Sequence, residues 1–231
     1  MSREICDIIS SPPISFKNIV RIAELTNGQR TNSAWLDLHH SIITASRFQQ
    51  VINIVNGTSR SSIDGILAKS NFVNEAMLYG QQKEERARQD YIARTGYRVM
   101  ETGLYLFPSG LLGASPDGLI YTEPNDTSPS GVLEIKCPYS MRNATSSEFK
   151  LFAEKNHMKH YAQIQGQIAA TRLKFADLVY WSPQGYWQKR IPADVKWEKK
   201  YVQKMEDLAH ESSMQSNLIS IEILTSFTFE L

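Results

Sequence analysis

The chain has few of the residues that mark secreted or membrane proteins. Its two cysteines among 231 residues, Cys6 and Cys137, lie far apart and form neither a CxxC motif nor a zinc-ligand spacing. A disulfide framework is therefore not expected, and a reducing compartment is the simpler expectation. The first ten residues lack the apolar run of a signal peptide, and no stretch approaches a membrane span. We expect an intracellular soluble protein, with nucleus and cytoplasm not distinguished.

The chain also lacks a strong net charge, which is +1 at neutral pH, so its overall balance favours no class of partner. The charges are nevertheless unevenly distributed. Residues 141–204 contain 12 Lys and Arg against 5 Asp and Glu, whereas residues 205–231 contain 5 acidic residues and no Lys or Arg. A basic segment before an acidic tail is typical of a phosphate-binding surface, and a solvated, Lys-rich helix is the alternative.

Hydrophobic periodicity predicts helices and strands in alternating blocks, and no internal repeat interrupts them. Turn residues and caps delimit the segments. The predicted helices span residues 15–25, 44–57, 73–95, 145–155, 157–172 and 194–215. The predicted strands span residues 97–107, 114–121, 132–137, 175–181 and 185–191. This order indicates an α/β fold with a mixed central sheet flanked by helices.

Two of the predicted strands carry charges that buried strands normally avoid. Asp117 lies between Pro116 and Gly118 at the start of one strand, and Glu134 and Lys136 lie in the next. The loop between them is rich in proline, asparagine and glycine, which predicts a hairpin. Glu134 and Lys136 are two residues apart and therefore leave the same face of their strand. If the two strands pair, Asp117 and Glu134 converge with Lys136 beside them.

Two converging carboxylates repel each other unless a cation lies between them. Oxygen ligands without a His or Cys cluster favour Mg²⁺ or Mn²⁺ over zinc. A neighbouring lysine can then position or deprotonate a water molecule, which suits hydrolysis of a phosphodiester. The alternative is an exposed Glu134–Lys136 ion pair with Asp117 as a turn residue.

Several short motifs, in order, resemble those of the lambda-exonuclease/YqaJ viral recombinase family of the PD-(D/E)xK nuclease superfamily. The central ones are GASPDG at 113–118 and LEIKCP at 133–138. Three others support them: Trp35 followed by TAS at 44–46, GQQKE at 80–84 continuing to Ala87-Arg88, and YAQIQ at 161–165. The resemblance spans roughly residues 35–205. It implies a restriction-endonuclease-like core and a single nuclease domain over 1–231, with a mainly helical portion at 1–70 and the nuclease core at 73–205.

The resemblance also implies roles for individual residues. Asp117, Glu134 and the main-chain carbonyl of Ile135 would bind the metal, and Lys136 would serve the attacking water. Glu84 would be a further acid that reaches the metal directly or through water, with Glu85 as the weaker choice.

On the helix that carries YAQIQ, Gln165 would orient Lys136 or the water, with Gln163 next in line. A merely polar helix face is the alternative.

Three more residues correspond to the place where the family binds the 5′ phosphate of a DNA end. Ser46 and Ser115 match its serines. His39 stands where the family has an arginine four residues after the tryptophan, which puts tight phosphate capture in question. The nearest arginine in sequence is Arg47.

The expected function is that of a Mg²⁺-dependent deoxyribonuclease, with Mn²⁺ as a substitute. The family resemblance implies a 5′-to-3′ exonuclease that acts on double-stranded DNA ends and leaves 3′ single strands for recombination or repair. A structure-specific endonuclease and a non-catalytic DNA-end-binding module are the alternatives. A single-strand annealing protein and further copies of the chain are the partners that the resemblance leaves open, and no membrane association is expected.

Overall fold

A computed structural model describes residues 2–67 and 74–227 of the chain, with side chains described as far as residue 212. Helices and mixed sheets alternate along it, and the expected mixed α/β architecture is confirmed. None of the helices in the described ranges combines the length and apolarity that a bilayer crossing requires. The predicted boundary between residues 70 and 73 lies outside the described residues, so the division into a helical portion and a core stays a prediction.

The N-terminal portion consists of short helices, many of which begin at a polar cap. The Ser15 hydroxyl accepts a hydrogen bond from the Asn18 N–H, and the Asn32 side chain caps the next helix through the N–H of Ala34. These caps satisfy amides that have no partner inside the helix. The helices are α1 (Arg3–Ile9), α2 (Phe16–Leu25), α3 (Ser33–Ser41), α4 (Phe48–Val55) and α5 (Ile63–Leu67).

The helix predicted at 44–57 begins later than expected. Ile43 and Thr44 form strand β1 (Ile43–Thr44), residues 45–47 form a 3₁₀ turn, and the α-helix starts at Phe48. A helix that began at residue 44 would leave Thr44 as a local cap, but Thr44 instead pairs in parallel with Gly113. A tertiary hydrogen-bond partner therefore outweighs the local capping preference at this position.

Helix α6 (Glu75–Thr95) runs along one face of the main sheet. It begins at Asn74, whose side chain accepts from the Met77 N–H, and it ends at Gly96 in the left-handed conformation with φ of 71°. The predicted first residue, Val73, lies outside the described residues. Ala87 and Tyr91 are buried against the sheet, so the face of α6 that contains Glu84 is held in place.

The main sheet has five strands in the order β2-β5-β6-β7-β8. Strands β6 and β7 pair in parallel, and the other neighbours pair antiparallel. The predicted hairpin is confirmed: Gly118 of β5 lies opposite Leu133 of β6. The strands are β2 (Arg98–Met100), β5 (Gly118–Tyr121), β6 (Gly131–Lys136), β7 (Phe175–Ser182) and β8 (Gly185–Pro192).

Two of the predicted strands are each divided between two sheets. The predicted strand 97–107 contains β2 and β3 (Tyr105–Leu106), and the predicted strand 114–121 contains the last residue of β4 (Leu112–Ala114) and all of β5. Strands β1, β4 and β3 form a separate three-stranded sheet in the order β1-β4-β3. The chain must turn between the sheets. At Gly103 it passes so close to α2 that a Cβ atom would lie 2.3 Å from Thr26 Oγ1. At Pro116 there is no N–H to continue a ladder.

Helix α8 (Tyr161–Thr171) contacts strands of both sheets and is preceded by the capped helix α7 (Ser146–Asn156). Gly166 allows its close approach to the N-terminal portion, since a Cβ atom there would lie 2.5 Å from the Phe48 ring. The opposite side of α8 meets β6 and β7, which brings Gln163 and Gln167 to the strand that carries Glu134. Helix α9 (Val195–Phe227) follows β8 and buries Trp197 and Met205.

A buried ion pair ties α6 to the far side of the sheet. Asp177 on β7 is fully buried, and Arg190 on β8 donates two hydrogen bonds of 2.8 Å to its carboxylate. The Tyr91 hydroxyl of α6 donates to the same carboxylate across 2.6 Å. The carboxylate is thus satisfied as a buried charge must be. This cluster acts as structural support for the helix that carries Glu84.

Candidate active site

Asp117 lies at the point where the chain enters the main sheet, and both its backbone and its side chain are bound there. Its N–H donates to the Leu133 carbonyl across 2.9 Å, and its Oδ2 accepts from the Ile135 N–H across 2.6 Å. The side chain therefore bridges to β6 on either side of Glu134. The convergence expected from the hairpin is present.

Glu134 is 2% exposed, and both of its carboxylate oxygens are held. Lys136 Nζ lies 2.5 Å from Oε1, and Gln163 Nε2 donates to the same oxygen across 2.7 Å. Gln167 Nε2 donates to Oε2 across 2.5 Å. The alternative of an exposed ion pair does not apply, because Glu134 is buried, Lys136 is half-buried, and two amides bond the same carboxylate.

Lys136 is oriented by a second contact on α8. Its Nζ donates to Gln163 Oε1 across 3.2 Å, so this glutamine bonds both the lysine and Glu134. Gln163, which the resemblance placed next after Gln165 for orienting Lys136, is therefore in contact with the charged pair.

Gln165, the first choice for orienting Lys136 or the water, bonds other partners in this structure. Its Nε2 donates to the Pro192 carbonyl and its Oε1 accepts from the Asp194 N–H, both across 2.9 Å. It links α8 to the start of α9 instead. Residues two apart on a helix point in different directions, whereas Gln163 and Gln167, four apart, share a face. The spacing could have identified Gln167, which the sequence reasoning missed.

Glu84 faces this group from α6. Its carboxylate lies 3.4 Å from Arg88, which also pairs with Glu85 and Glu101. Burial raises the pKa of Glu84; Arg88 opposes that rise and Glu134 adds to it. The Glu85 side chain is 61% exposed and turned to Arg88, so Glu84 rather than Glu85 belongs to the site.

The charges of the site influence one another strongly. The pKa of Asp117 lies well above its usual range, first because of burial and then because Glu134 and Glu84 repel its negative form. Burial by itself would lower the pKa of Lys136, but Glu134 and Asp117 outweigh it and raise that pKa. Lys136 therefore stays protonated beside the carboxylates, and its charge offsets only part of their repulsion.

These residues line one cavity of about 520 Å³ between α6, α8 and the edge of the two sheets. Arg30 and Lys159 also line it and contribute positive charge. Tyr180, opposite Lys136 on β7, has a buried hydroxyl without a partner among the described residues, as has Gln167 at its Oε1. Tyr180, His160 and Arg30 were not assigned to a site from the sequence, because their positions depend on turns and sheet register.

The donor set fits a hard divalent cation. It offers the carboxylates of Asp117 and Glu134 and the adjoining main chain of Ile135, and the repulsion that raises the pKa of Asp117 is what a cation would relieve. Among the side chains that the structure describes, no three His, Cys, Asp or Glu residues gather closely enough to hold a metal by themselves. The ligand set is therefore better described as two carboxylates, completed by a carbonyl oxygen and water, than as three carboxylates.

The residues expected to bind a 5′ phosphate line the same cavity. Trp35, His39, Ser46 and Ser115 all line it. Trp35 Nε1 donates to Ser115 Oγ across 2.9 Å, and Ser46 Oγ lies 3.0 Å from Thr44 Oγ1. Ser46 lies in the 3₁₀ turn after β1 and Ser115 in the β4–β5 connection, and the pairing of β1 with β4 brings these two segments side by side.

His39 stacks on Trp35, with ring centroids 4.3 Å apart. The pKa of His39 is lowered to about 4, first by burial and then by the positive charges of neighbouring groups, Arg47 and Arg30 among them. His39 is therefore neutral at physiological pH and cannot replace the charge of an arginine. Arg47 donates a short hydrogen bond to the Ile66 carbonyl and is not among the residues that line the cavity.

Residues 34–174 match the model of the YqaJ-like viral recombinase domain, and the chain belongs to that family. It is 30% identical over 158 residues to the alkaline nuclease of Orgyia pseudotsugata multicapsid polyhedrosis virus, a match that covers 66% of this chain and 35% of that protein. The chain thus spans about a third of the length of the curated relatives that it matches.

Solved structures show the same fold. An alkaline exonuclease from Laribacter hongkongensis superposes with a TM-score of 0.62 at 25% identity, covering 80% of this chain and 94% of that one. A phage-related exonuclease from Haemophilus somnus superposes with a TM-score of 0.55 at 15% identity, covering 80% and 98%. The expected PD-(D/E)xK-type core is confirmed by these neighbours.

Proposed function

We propose that this protein is a DNA exonuclease that needs Mg²⁺ and degrades double-stranded DNA from a 5′ end, leaving a 3′ single strand. The observation that carries the proposal is the group formed in one cavity by buried Glu134 and half-buried Asp117 and Lys136, with Gln163 bonded to both Glu134 and Lys136. The family membership and the exonuclease structures with the same fold support it.

Asp117, Glu134 and the Ile135 carbonyl would hold the metal, with Glu84 acting through water. Once bound, a divalent cation lowers the pKa of water and neutralises charge on a phosphodiester. Lys136, which Gln163 orients, would hold the attacking water and stabilise the negative charge that develops on the phosphate. Ser46 and Ser115 would hold the terminal phosphate in the same cavity, and His39 and Trp35 would line that part of it.

The test uses linear duplex DNA labelled at either the 5′ or the 3′ end, with a closed circle as the second substrate. Wild-type protein with Mg²⁺ or Mn²⁺ should release mononucleotides from the 5′-labelled end and leave the circle intact, and EDTA should stop the reaction. Asp117→Ala and Glu134→Ala should abolish cleavage while DNA binding persists. Lys136→Ala should slow it by a factor on the order of 10²–10⁴.

An exposed acid, Glu123 in the β5–β6 loop, provides the matched control, since Glu123→Gln should leave the rate unchanged. Cutting of the closed circle would support a structure-specific endonuclease instead. End binding without cleavage in any divalent metal would support a non-catalytic end-binding module. Full activity in Asp117→Ala would refute the site. A single-strand annealing protein and assembly into a homo-oligomer remain proposals for partners.

A further inference from the structure

The face of the main sheet that carries Glu134 and Lys136 continues to the edge of the sheet. Lys136 on β6 pairs with Tyr180 on β7, and Tyr180 pairs with Trp187 on the edge strand β8. Residues that pair directly across neighbouring strands leave the same face of the sheet. Lys189, two residues further along β8, leaves that face as well. The proposed active site is therefore continuous, across one face of the sheet, with an aromatic side chain and a lysine at the edge.

Aromatic rings connect the cavity to this edge. His160 and Tyr180 line the cavity, with ring centroids 5.8 Å apart. Tyr180 contacts Trp187 at 5.8 Å, and Trp187 contacts His157 at 5.3 Å. Neither of these two neighbours stacks in parallel on the indole, since the interplanar angles are 72° and 40°. Trp187 is half-buried, so its ring is held in place while part of it stays accessible.

Lys189 is fixed beside Trp187 without losing its charge. Its Nζ lies 2.9 Å from His157 Nε2, and His157 Nδ1 lies 2.7 Å from the Glu154 carbonyl oxygen. An ammonium group has no acceptor, so it donates to the ring, and the other ring nitrogen donates to the carbonyl. Because the partner of Lys189 is a ring nitrogen rather than a carboxylate, its positive charge is not neutralised. Two of its three N–H donors remain for a ligand.

A second lysine lies closer to the reaction centre. Lys159 is exposed and lines the cavity itself. Among the described side chains, neither Lys159 nor Lys189 has a carboxylate partner. Glu154, the acid on the same segment, lies 4.0 Å from Lys150 instead. The basic segment at 141–204 thus contains lysines beside the cavity, where an anion can reach them, besides those on α9.

The cavity has room for one strand of DNA and not for a duplex. Its volume of about 520 Å³ is that of a site for a small ligand, which corresponds to a single nucleotide rather than to a paired double helix. Nucleotides next to the reacting phosphate must therefore be unpaired. Aromatic side chains stack on the faces of such splayed bases, and basic groups between the rings bind the backbone.

We propose that Trp187, Lys189 and Lys159 bind single-stranded DNA that leads out of the cavity along the β8 edge. Trp187 stacks on a base, and the two lysines bind phosphates of neighbouring nucleotides. The inference rests on the proposed function of the cavity, since that function identifies the ligand as DNA. It adds to the reaction centre a hold on the unpaired strand that depends on neither the metal nor the end of the strand.

The test measures binding of a fluorescent oligothymidylate with a 5′-hydroxyl end, in EDTA, so that neither cleavage nor a terminal phosphate contributes. Trp187→Leu should weaken binding about tenfold, the effect of losing one stacked base, and Trp187→Phe should retain most of the affinity. Lys159→Gln combined with Lys189→Gln should reduce the salt slope of the binding constant by about 1.4, because each phosphate contact on a single strand contributes about 0.7. The matched control, Lys196→Gln combined with Lys200→Gln on α9, removes the same charge and should leave the slope unchanged.

Circular dichroism of each variant should show that the fold is retained, and the exposed lysines provide the decisive comparison if Trp187→Leu lowers stability. A wild type that does not bind the oligonucleotide, or equal changes of slope in the two double variants, would overturn the inference. An equal loss of affinity for a blunt duplex would also overturn it, because the surface would then bind DNA in general. If the variants lost single-strand binding in a protein that cleaves no DNA with any divalent metal, the inference would be supported and the nuclease proposal refuted. Unchanged binding by the variants of an active nuclease would lead to the opposite conclusion.

Discussion

Gln167 and Glu134 are joined by a buried hydrogen bond of 2.5 Å, from Nε2 of the amide to Oε2 of the carboxylate. Lys136 and Gln163 hold the other oxygen of the same carboxylate. Glu134 is therefore positioned from two turns of one helix, and its orientation depends on the register of α8 against β6.

The first prediction contrasts two glutamines on that helix. Gln167→Met keeps the length of the side chain but cannot donate to Glu134, so the cleavage rate should fall about tenfold, as expected for a lost bond to a charged group. The Mg²⁺ concentration that gives half the maximal rate should rise as well.

Gln165→Met should instead lower the free energy of unfolding by about 1–3 kcal/mol, because the Asp194 N–H loses its partner. Rates across a Mg²⁺ titration and urea denaturation separate the two effects. If both variants lost the same activity and had the same stability, Gln165 would be assigned to the site after all.

The second prediction follows from the raised pKa of Asp117. Without metal, its ionisation opposes folding. This cost is absent below the usual aspartate pKa of 3.8, grows as the pH rises toward the folded-state pKa, and is constant above it. In EDTA, Asp117→Asn should therefore have a higher Tm than the wild type at pH 8, and the difference should shrink toward pH 4.

Added Mg²⁺ should raise the Tm of the wild type but not that of Asp117→Asn, because a ligand that binds only the folded state stabilises it. Asp7→Asn, an exposed aspartate on α1, serves as the control and should follow the wild type at every pH. If Asp117→Asn were less stable than the wild type at pH 8 in EDTA, the inferred repulsion of Asp117 by Glu134 and Glu84 would be refuted.

The third prediction concerns His39, whose pKa falls from 6.5 to about 4 on folding. The unfolded chain binds a proton at His39 below pH 6.5 that the folded chain does not bind, so folding loses stability as the pH falls through this range. His39→Phe keeps a ring stacked on Trp35 and cannot titrate. The Tm of the variant relative to the wild type should rise between pH 7 and pH 5, while His160, present in both proteins, cancels. If the two curves of Tm against pH ran parallel, folding would not lower the pKa of His39.

The fourth prediction compares two glycines. Gly166→Ala should destabilise the protein by about 1–3 kcal/mol, because the new methyl group meets the Phe48 ring and Ala45. Gly80→Ala lies inside α6 with nothing within 4 Å, so it should stabilise the helix by about 0.5–1 kcal/mol. Urea denaturation of both variants gives the two values. A neutral Gly166→Ala would mean that α8 can move away from the N-terminal portion without cost.

The sequence determined the parts of the site that lie on one strand or one hairpin. A strand has a period of two, so Glu134 and Lys136 had to share a face, and the turn residues before Gly131 had to bring Asp117 toward them. The end of α6 at Gly96 and the capping of α7 at Thr145 are local in the same sense, since backbone conformation and a nearby hydroxyl decide them.

Tertiary structure decided which elements meet. Gly103 and Pro116 divide two apparent strands between two sheets, and close contacts from α2 and β6 determine where each division falls. The helical period makes Gln163 and Gln167 share a face, but only the packing of Gly166 on Phe48 turns that face toward Glu134 and sends Gln165 to α9. Arg30 reaches the cavity because Gln29 bonds a carbonyl 87 residues away in sequence. Such long-range contacts leave no periodic pattern in the chain, which is the physical reason that the sequence alone did not reveal them.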